Sequence, residues 1–298
     1  MPAFNYFGPT IYILMQKGKI TFLKRCSLLI FIAIPLLSLI NQKEITWVAI
    51  GDSITYLNDH RDETKNRVKK GYLTGVTEAL PYIKYINQGH NGWTVQGIAR
   101  EIENLGIVKA DLYTIFLGTN DWWAGIPAGT LNDYKNDTGI GTSSGAYRKI
   151  INKIRSLNPT AKIVLITPMQ RNDFVYINAP NNNAYGSYKD KNGQSLASFA
   201  EAVLAIGKYE NLPVVDLYHN KDLSIKNTIK FKRLKDNTGH YKNYKYPASI
   251  GIPFNPGIDD YPYPIEAQNM TFDGLHPSDR GYKVITKAIV ALFKELKL

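Results

Sequence analysis

Five short runs of apolar, largely β-branched residues recur along the chain: Thr46–Ile50, Ile83–Ile86, Leu112–Leu117, Ile163–Thr167 and Leu212–Leu217. They are nearly continuous rather than alternating, the pattern of strands covered on both faces and hence of a parallel sheet. Candidate helices lie between them, near 66–80, 94–105, 144–157 and 195–210. At the C-terminus, Tyr282, Ile285, Ile289, Leu292 and Leu296 recur at spacings of three and four, which predicts a last helix capped by Ser278 or Asp279. The alternation predicts an α/β fold, a three-layer α/β/α sandwich on a five-stranded parallel sheet with right-handed crossovers. With 298 residues, 44% of them hydrophobic, the chain can fill such a core. Ligands of these sheets sit at the carboxyl ends of the strands, so chemistry is expected where each run stops.

Ahead of the first run, Lys17, Lys19, Lys24 and Arg25 precede the uncharged stretch Cys26–Ile40. A helix of that length spans about 22 Å, short of a hydrocarbon core of about 30 Å. Basic flank and apolar block together read as a signal peptide or an uncleaved anchor, which predicts an exported protein, periplasmic or extracellular. The chain therefore divides into a leader, residues 1–43, and one domain, residues 44–298. The leader holds five Lys/Arg and no Asp/Glu, so the net charge of +11 falls to +6 over the remaining 255 residues, where 31 basic residues face 25 acidic ones. No basic cluster larger than pairs such as Lys69-Lys70 remains, and nucleic acid is not expected as a partner. The single cysteine, Cys26, excludes an internal disulfide and any cysteine-based zinc cluster. The histidines show no ligand spacing, so no metal or other cofactor is expected.

The run ends are rich in glycine and polar residues. The first stops at Gly51-Asp52-Ser53-Ile54, the second at Asn87-Gln88-Gly89-His90-Asn91-Gly92-Trp93-Thr94, and the third at Gly118-Thr119-Asn120-Asp121. Just before the last helix, Asp273-Gly274-Leu275-His276-Pro277 spaces a carboxylate and an imidazole three residues apart. Four such blocks in this order resemble the SGNH hydrolase superfamily, the GDSL-type esterases and lipases, from Gly51 to Pro277. Ile54 stands where the family's namesake block has leucine.

The resemblance implies the flavodoxin-like SGNH fold and a serine esterase without a cofactor. By matching positions, Ser53 resembles the nucleophile, His276 its general base and Asp273 the carboxylate that orients the imidazole. Gly92 through its N–H, Asn120 through its side-chain amide and the N–H of Ser53 are implied as the oxyanion hole. Gly141-Thr142-Ser143-Ser144-Gly145 formally fits the G-x-S-x-G elbow of α/β-hydrolases. That motif needs a strand before it; Asn132–Gly139 reads as polar loop, so Ser143 or Ser144 reads as a helix cap.

Substrate signals are fewer. An irregular stretch, about residues 218–271, is long enough to be a functional insertion and carries Tyr241, Tyr244, Tyr246, Tyr261 and Tyr263. Trp93, Trp122 and Trp123 follow directly on the second and third blocks and are candidate substrate-binding residues, with His90 beside them. Aromatic faces with nearby amides suit sugar rings. The leading expectation is a carbohydrate O-acyl, acetyl-type, esterase. A lipid or lysophospholipid esterase and a non-catalytic glycan-binding module are the rivals.

Overall fold

The computed structural model describes residues 43–298; the leader expected over residues 1–43 lies, but for its last residue, outside the described residues. Among the described residues no helix is long and apolar enough to cross a membrane.

Strands β1 (Ile45–Gly51), β2 (Ile83–Gly89), β3 (Leu112–Phe116), β4 (Lys162–Ile166) and β7 (Val214–Val215) form one five-stranded sheet in the order β2-β1-β3-β4-β7. Every pairing is parallel. This is the doubly wound, flavodoxin-like order, with its switch point beside β1. Two antiparallel ribbons stand outside it: β5 (Phe174–Val175) with β6 (Asn183–Ala184), and β8 (Lys232–Lys235) with β9 (Tyr241–Tyr244).

The period-2 geometry of a strand explains the two cores. Trp47 and Ala49 of β1 face one layer, where helices Tyr72–Ala79 and Asp279–Glu295 contribute Tyr72, Val76, Ile285 and Phe293. Val48 and Ile50 face the other, against helices Val95–Glu101, Ser143–Leu157 and Leu196–Glu210. All four are completely buried, which is why this run is apolar without a break.

Several boundaries differ from expectation for local reasons. The helix near 66–80 starts only at Tyr72, because Lys65 and Asn66 adopt positive φ and turn the chain. The helix near 94–105 ends at Glu101. Within the stretch read as polar loop, Leu131–Lys135 is helical, held by a capping box in which Thr130 and Asp133 satisfy each other's backbone N–H. At the last helix, Ser278 is the cap and accepts from Gly281 N–H. For Ser143–Leu157 the cap is Thr142, not Ser143 or Ser144. β7 pairs over two residues only, as befits an edge strand preceded by Pro213.

The stretch 218–271 contains the β8–β9 ribbon and is tied inward by a buried ion pair, Lys232 Nζ to Asp173 Oδ2 at 2.9 Å, the side chains 1% and 9% exposed. Asp173 Oδ1 also accepts from Gly186 N–H and the Tyr188 hydroxyl. Tyr263 donates to the Asp173 carbonyl and Tyr261 to that of Val175, so these two tyrosines pack the insertion onto the domain.

Removing one partner of such a pair strands the other's charge. Lys232→Met is expected to cost about 3 kcal/mol of stability, seen as a lower urea midpoint at constant m-value; adding Asp173→Asn should recover part of it. A single variant that unfolds at the wild-type midpoint would contradict this role.

Candidate active site

Gly51 ends β1 in register with Gly89 of β2 and Phe116 of β3, so three chain exits leave the sheet side by side. A Cβ on Gly51 would lie 2.0 Å from Thr55 Oγ1, and one on Gly89 would lie 2.2 Å from the Tyr56 nitrogen. Bare backbone at both positions lets the short helix Ser53–Tyr56 sit directly on the strand ends. Asp52 caps that helix, its carboxylate accepting from Ile54 N–H at 2.9 Å. Ser53 is thus the first helical residue, where a backbone N–H has no acceptor within the helix.

The histidine is placed by its own block. Asp273 Oδ1 accepts from the N–H groups of Leu275 at 3.0 Å and His276 at 2.7 Å. This local turn needs Gly274 at φ +91°, where a side chain would strike the Asp173 carbonyl. Asp273 Oδ2 then accepts from His276 Nδ1 at 2.6 Å, and His276 Nε2 lies 2.8 Å from Ser53 Oγ. With the Nδ1 proton committed to the carboxylate, Nε2 is the acceptor for the serine hydroxyl. Asp273 is fully buried and His276 nearly so; the imidazole lies between the ring of Phe272, stacked at 5.8 Å, and the edge of Phe174, at 5.5 Å.

The second and third exits are braced together. Asn120 Nδ2 donates to the Trp93 carbonyl at 2.9 Å, fixing the amide beside Gly92. Gly92 adopts φ +77°, and no hydrogen bond to its N–H or to that of Ser53 is made among the described residues. Asp121 accepts from Val95 N–H through both oxygens, at 3.1 and 3.0 Å, and from Ser143 Oγ at 2.9 Å. Ser143, in the G-x-S-x-G match, is therefore a buried brace at the start of a helix. Burial pushes the Asp121 carboxyl up to about 6 despite these donors, and burial likewise lifts Asp52 to about 6.

A pocket of about 230 Å³ opens over this array, with Ser53, Gly92, Asn120 and His276 on its floor. Trp123 lines it. Two other tryptophans expected at the substrate do not. Trp122 is fully buried, its indole N–H donating to the Gln194 carbonyl, because its position in helix Thr119–Ala124 turns it toward Leu196 and Phe199. Trp93 leans on the core next to Val95 and the imidazole of His90, 4.7 Å away, and neither ring reaches the pocket. The insertion's tyrosines are also absent from the lining. The remaining wall comes from residues that sequence reasoning passed over: Arg171, Phe174, Tyr176, Asn182 and Ala184, all in the segment between β4 and helix Leu196–Glu210. A connection of nearly thirty residues was the available signal, since loops of that length are usually functional.

The GDSL-like lipase/acylhydrolase family model matches residues 49–284. The chain belongs to that family. It is an SGNH serine hydrolase, and its chemistry is on ester bonds. A crystal structure of a possible lipase from Chitinophaga pinensis DSM 2588 is 63% identical, with a TM-score of 0.84 over 86% of this chain and all of that one. A structure from Lactobacillus plantarum, 17% identical, superposes with a TM-score of 0.58 over 86% of this chain and 99% of that one, and shares the fold. No curated protein matches.

An acid whose folded pKa exceeds its unfolded value holds its proton longer when folded, so its ionisation weakens the fold as pH rises between the two. For Asp121 that window runs from 3.8 to about 6. Relative to wild type, Asp121→Asn should therefore gain stability as pH rises from 4 to 7, measured by urea midpoints across the series. A difference independent of pH would show that Asp121 is ionised throughout.

Proposed function

We propose that the protein hydrolyses short-chain O-acyl esters, acetyl groups on carbohydrate foremost, through an acyl-Ser53 intermediate. The observation that carries the acyl-Ser53 step is the continuous chain Ser53 Oγ, His276 Nε2, His276 Nδ1, Asp273 Oδ2, with spacings of 2.8 and 2.6 Å at its two hydrogen bonds.

A serine hydroxyl is a weak nucleophile at neutral pH and needs its proton removed as it attacks. His276 Nε2 takes that proton while Oγ bonds to the ester carbonyl carbon, and Asp273 stabilises the imidazolium that forms. Electron density moves onto the carbonyl oxygen, which the N–H groups of Ser53 and Gly92 and the second amide proton of Asn120 receive. Collapse expels the alcohol, protonated by His276, and leaves acyl-Ser53. Water, deprotonated by His276, then releases the acid and restores the serine.

Pocket size and lining support the short-acyl, carbohydrate reading. Cavities for drug-sized ligands run from about 300 to 1,000 Å³, so about 230 Å³ favours a small acyl group over a long chain. Asn91, Asn120 and Asn182 supply amides, and Trp123 and Tyr176 aromatic rings, the combination that suits a polar ring with apolar faces.

Ser53→Ala is expected to abolish turnover of a small acetate ester while the urea midpoint stays near wild type. Persistent hydrolysis by that variant would refute the nucleophile assignment. Across acyl esters of one alcohol, kcat/KM should fall steadily beyond about four carbons; a maximum at long chains would favour the lipid reading. Asn120→Ala should lower kcat by about 10²–10³ with KM little changed, the loss typical of one oxyanion donor.

A further inference from the structure

Arg171 is buried in the wall of the Ser53 pocket, 2% exposed, at the beginning of the segment that follows β4. Its guanidinium carbon lies 5.5 Å from the ring centre of Trp122, 5.8 Å from Trp123 and 5.6 Å from Phe174. Aromatic faces attract the cation and hold it in place. They do not satisfy its N–H groups. Nε and Nη2 are buried and unpartnered. Burial lowers its pKa only to about 10, so it stays charged at neutral pH.

A buried charge normally has a partner in direct contact, and one without calls for an explanation. Two carboxylates act on Arg171 through their fields, Asp273 and Asp173. Both are committed elsewhere: Asp273 to His276 and two backbone N–H groups, Asp173 to Lys232, Tyr188 and Gly186. Among the described residues no Asp, Glu, Lys or second Arg lines the pocket. Lys191 Nζ lies 4.8 Å over the ring of Trp123, which lines the pocket, and brings a second positive charge near it.

We propose that Arg171 binds a carboxylate on the substrate, so that the preferred esters are anionic. A guanidinium presents a planar set of donors that matches a carboxylate, and such charge-assisted bonds are about twice as strong as neutral ones. Filling the pocket with that group gives Arg171 the partner that the folded chain withholds. The proposal rests on the reading of Ser53 as nucleophile. The carboxylate can belong to the alcohol, as in an acetylated uronic acid, or to the acyl group, as in a hemisuccinate.

The test compares three esters of equal leaving-group reactivity: O-acetylglucose, the O-acetyl ester of glucuronic acid at the same hydroxyl, and the hemisuccinate of glucose. Wild type should favour one of the two anionic esters over the neutral one by about tenfold or more in kcat/KM, mostly through KM, and which one is favoured tells the side of the carboxylate. In Arg171→Gln this selectivity ratio should collapse toward one, and Arg171→Lys should keep part of it. A ratio unchanged in Arg171→Gln, whatever the absolute rates, would overturn the proposal, as would equal use of all three esters by wild type. If Arg171→Gln fails to fold, wild type alone decides: free glucuronate or succinate should inhibit hydrolysis of O-acetylglucose more strongly than glucose does, and equal inhibition by all three counts against the proposal. Hydrolysis surviving in Ser53→Ala would sink the nucleophile reading instead, a result separable from any ratio.

Discussion

The register of three neighbouring parallel strands is the constraint on which the site depends. Gly51 pairs with Gly89 on one side and stands level with Phe116 on the other, so the chain leaves β1, β2 and β3 at one height. A shift of one residue in any of them would exchange the strand's faces, sending Val48 and Ile50 toward the layer that now receives Trp47 and Ala49. Because both faces of β1 and β3 are buried over most of their length, that exchange is penalised along these two strands. Packing thus fixes where Ser53, Gly92 and Asn120 emerge, and the chemistry uses a position that the core has already set.

Convergence at the strand ends still has to be made rigid, and Asp121 does this. One carboxylate joins the start of helix Val95–Glu101 to the start of helix Ser143–Leu157, while its neighbour Asn120 holds the Trp93 carbonyl. The upward shift of its pKa records the cost of placing that charge where water is excluded. In the proposed mechanism these donors face a developing oxyanion, where preorganisation spares a rearrangement at the moment of reaction, and Asp121 is the brace that keeps the neighbouring Asn120 in place.

Legibility in the sequence followed the same division. The five strands, the alternation of helices and the four polar blocks were readable because burial on two faces demands unbroken apolar runs, and because turns at strand ends demand glycine and short polar side chains. Ser53, Asp273 and His276 come together across more than two hundred residues, each placed by a local motif. Which tryptophan faces the pocket was not readable, since Trp122 and Trp123 are adjacent in one helix and point about 100° apart around its axis. The Thr142 cap and the Thr130–Asp133 box were within reach of capping rules but lay in a stretch whose polarity masked a short helix. For Arg171 the length of its connection pointed to the segment but not to the residue: a buried cation resembles a surface one until the rings around it are known.

Reactivity and selectivity are therefore written in different parts of the chain. The sheet exits and the turn before the last helix supply Ser53, Gly92, Asn120, Asp273 and His276, and their spacing follows from strand register and capping. The opposite wall hangs from the β5–β6 ribbon, only two residues long on each strand, which is held by the Asp173–Lys232 pair and by the N–H groups of Asn172 and Val175 donating to the carbonyls of Gly274 and Asp273. A ribbon of that length is not stable by itself, so its position is borrowed from the insertion that supplies Lys232 and from the turn that carries Asp273. Changes in the insertion can then move Arg171, Phe174 and Ala184 without touching the register that places Ser53. Strand register anchors Ser53, whereas the wall and the turn that carries Asp273 and His276 share backbone hydrogen bonds, so a change that moves the wall also reaches the imidazole in the proposed mechanism.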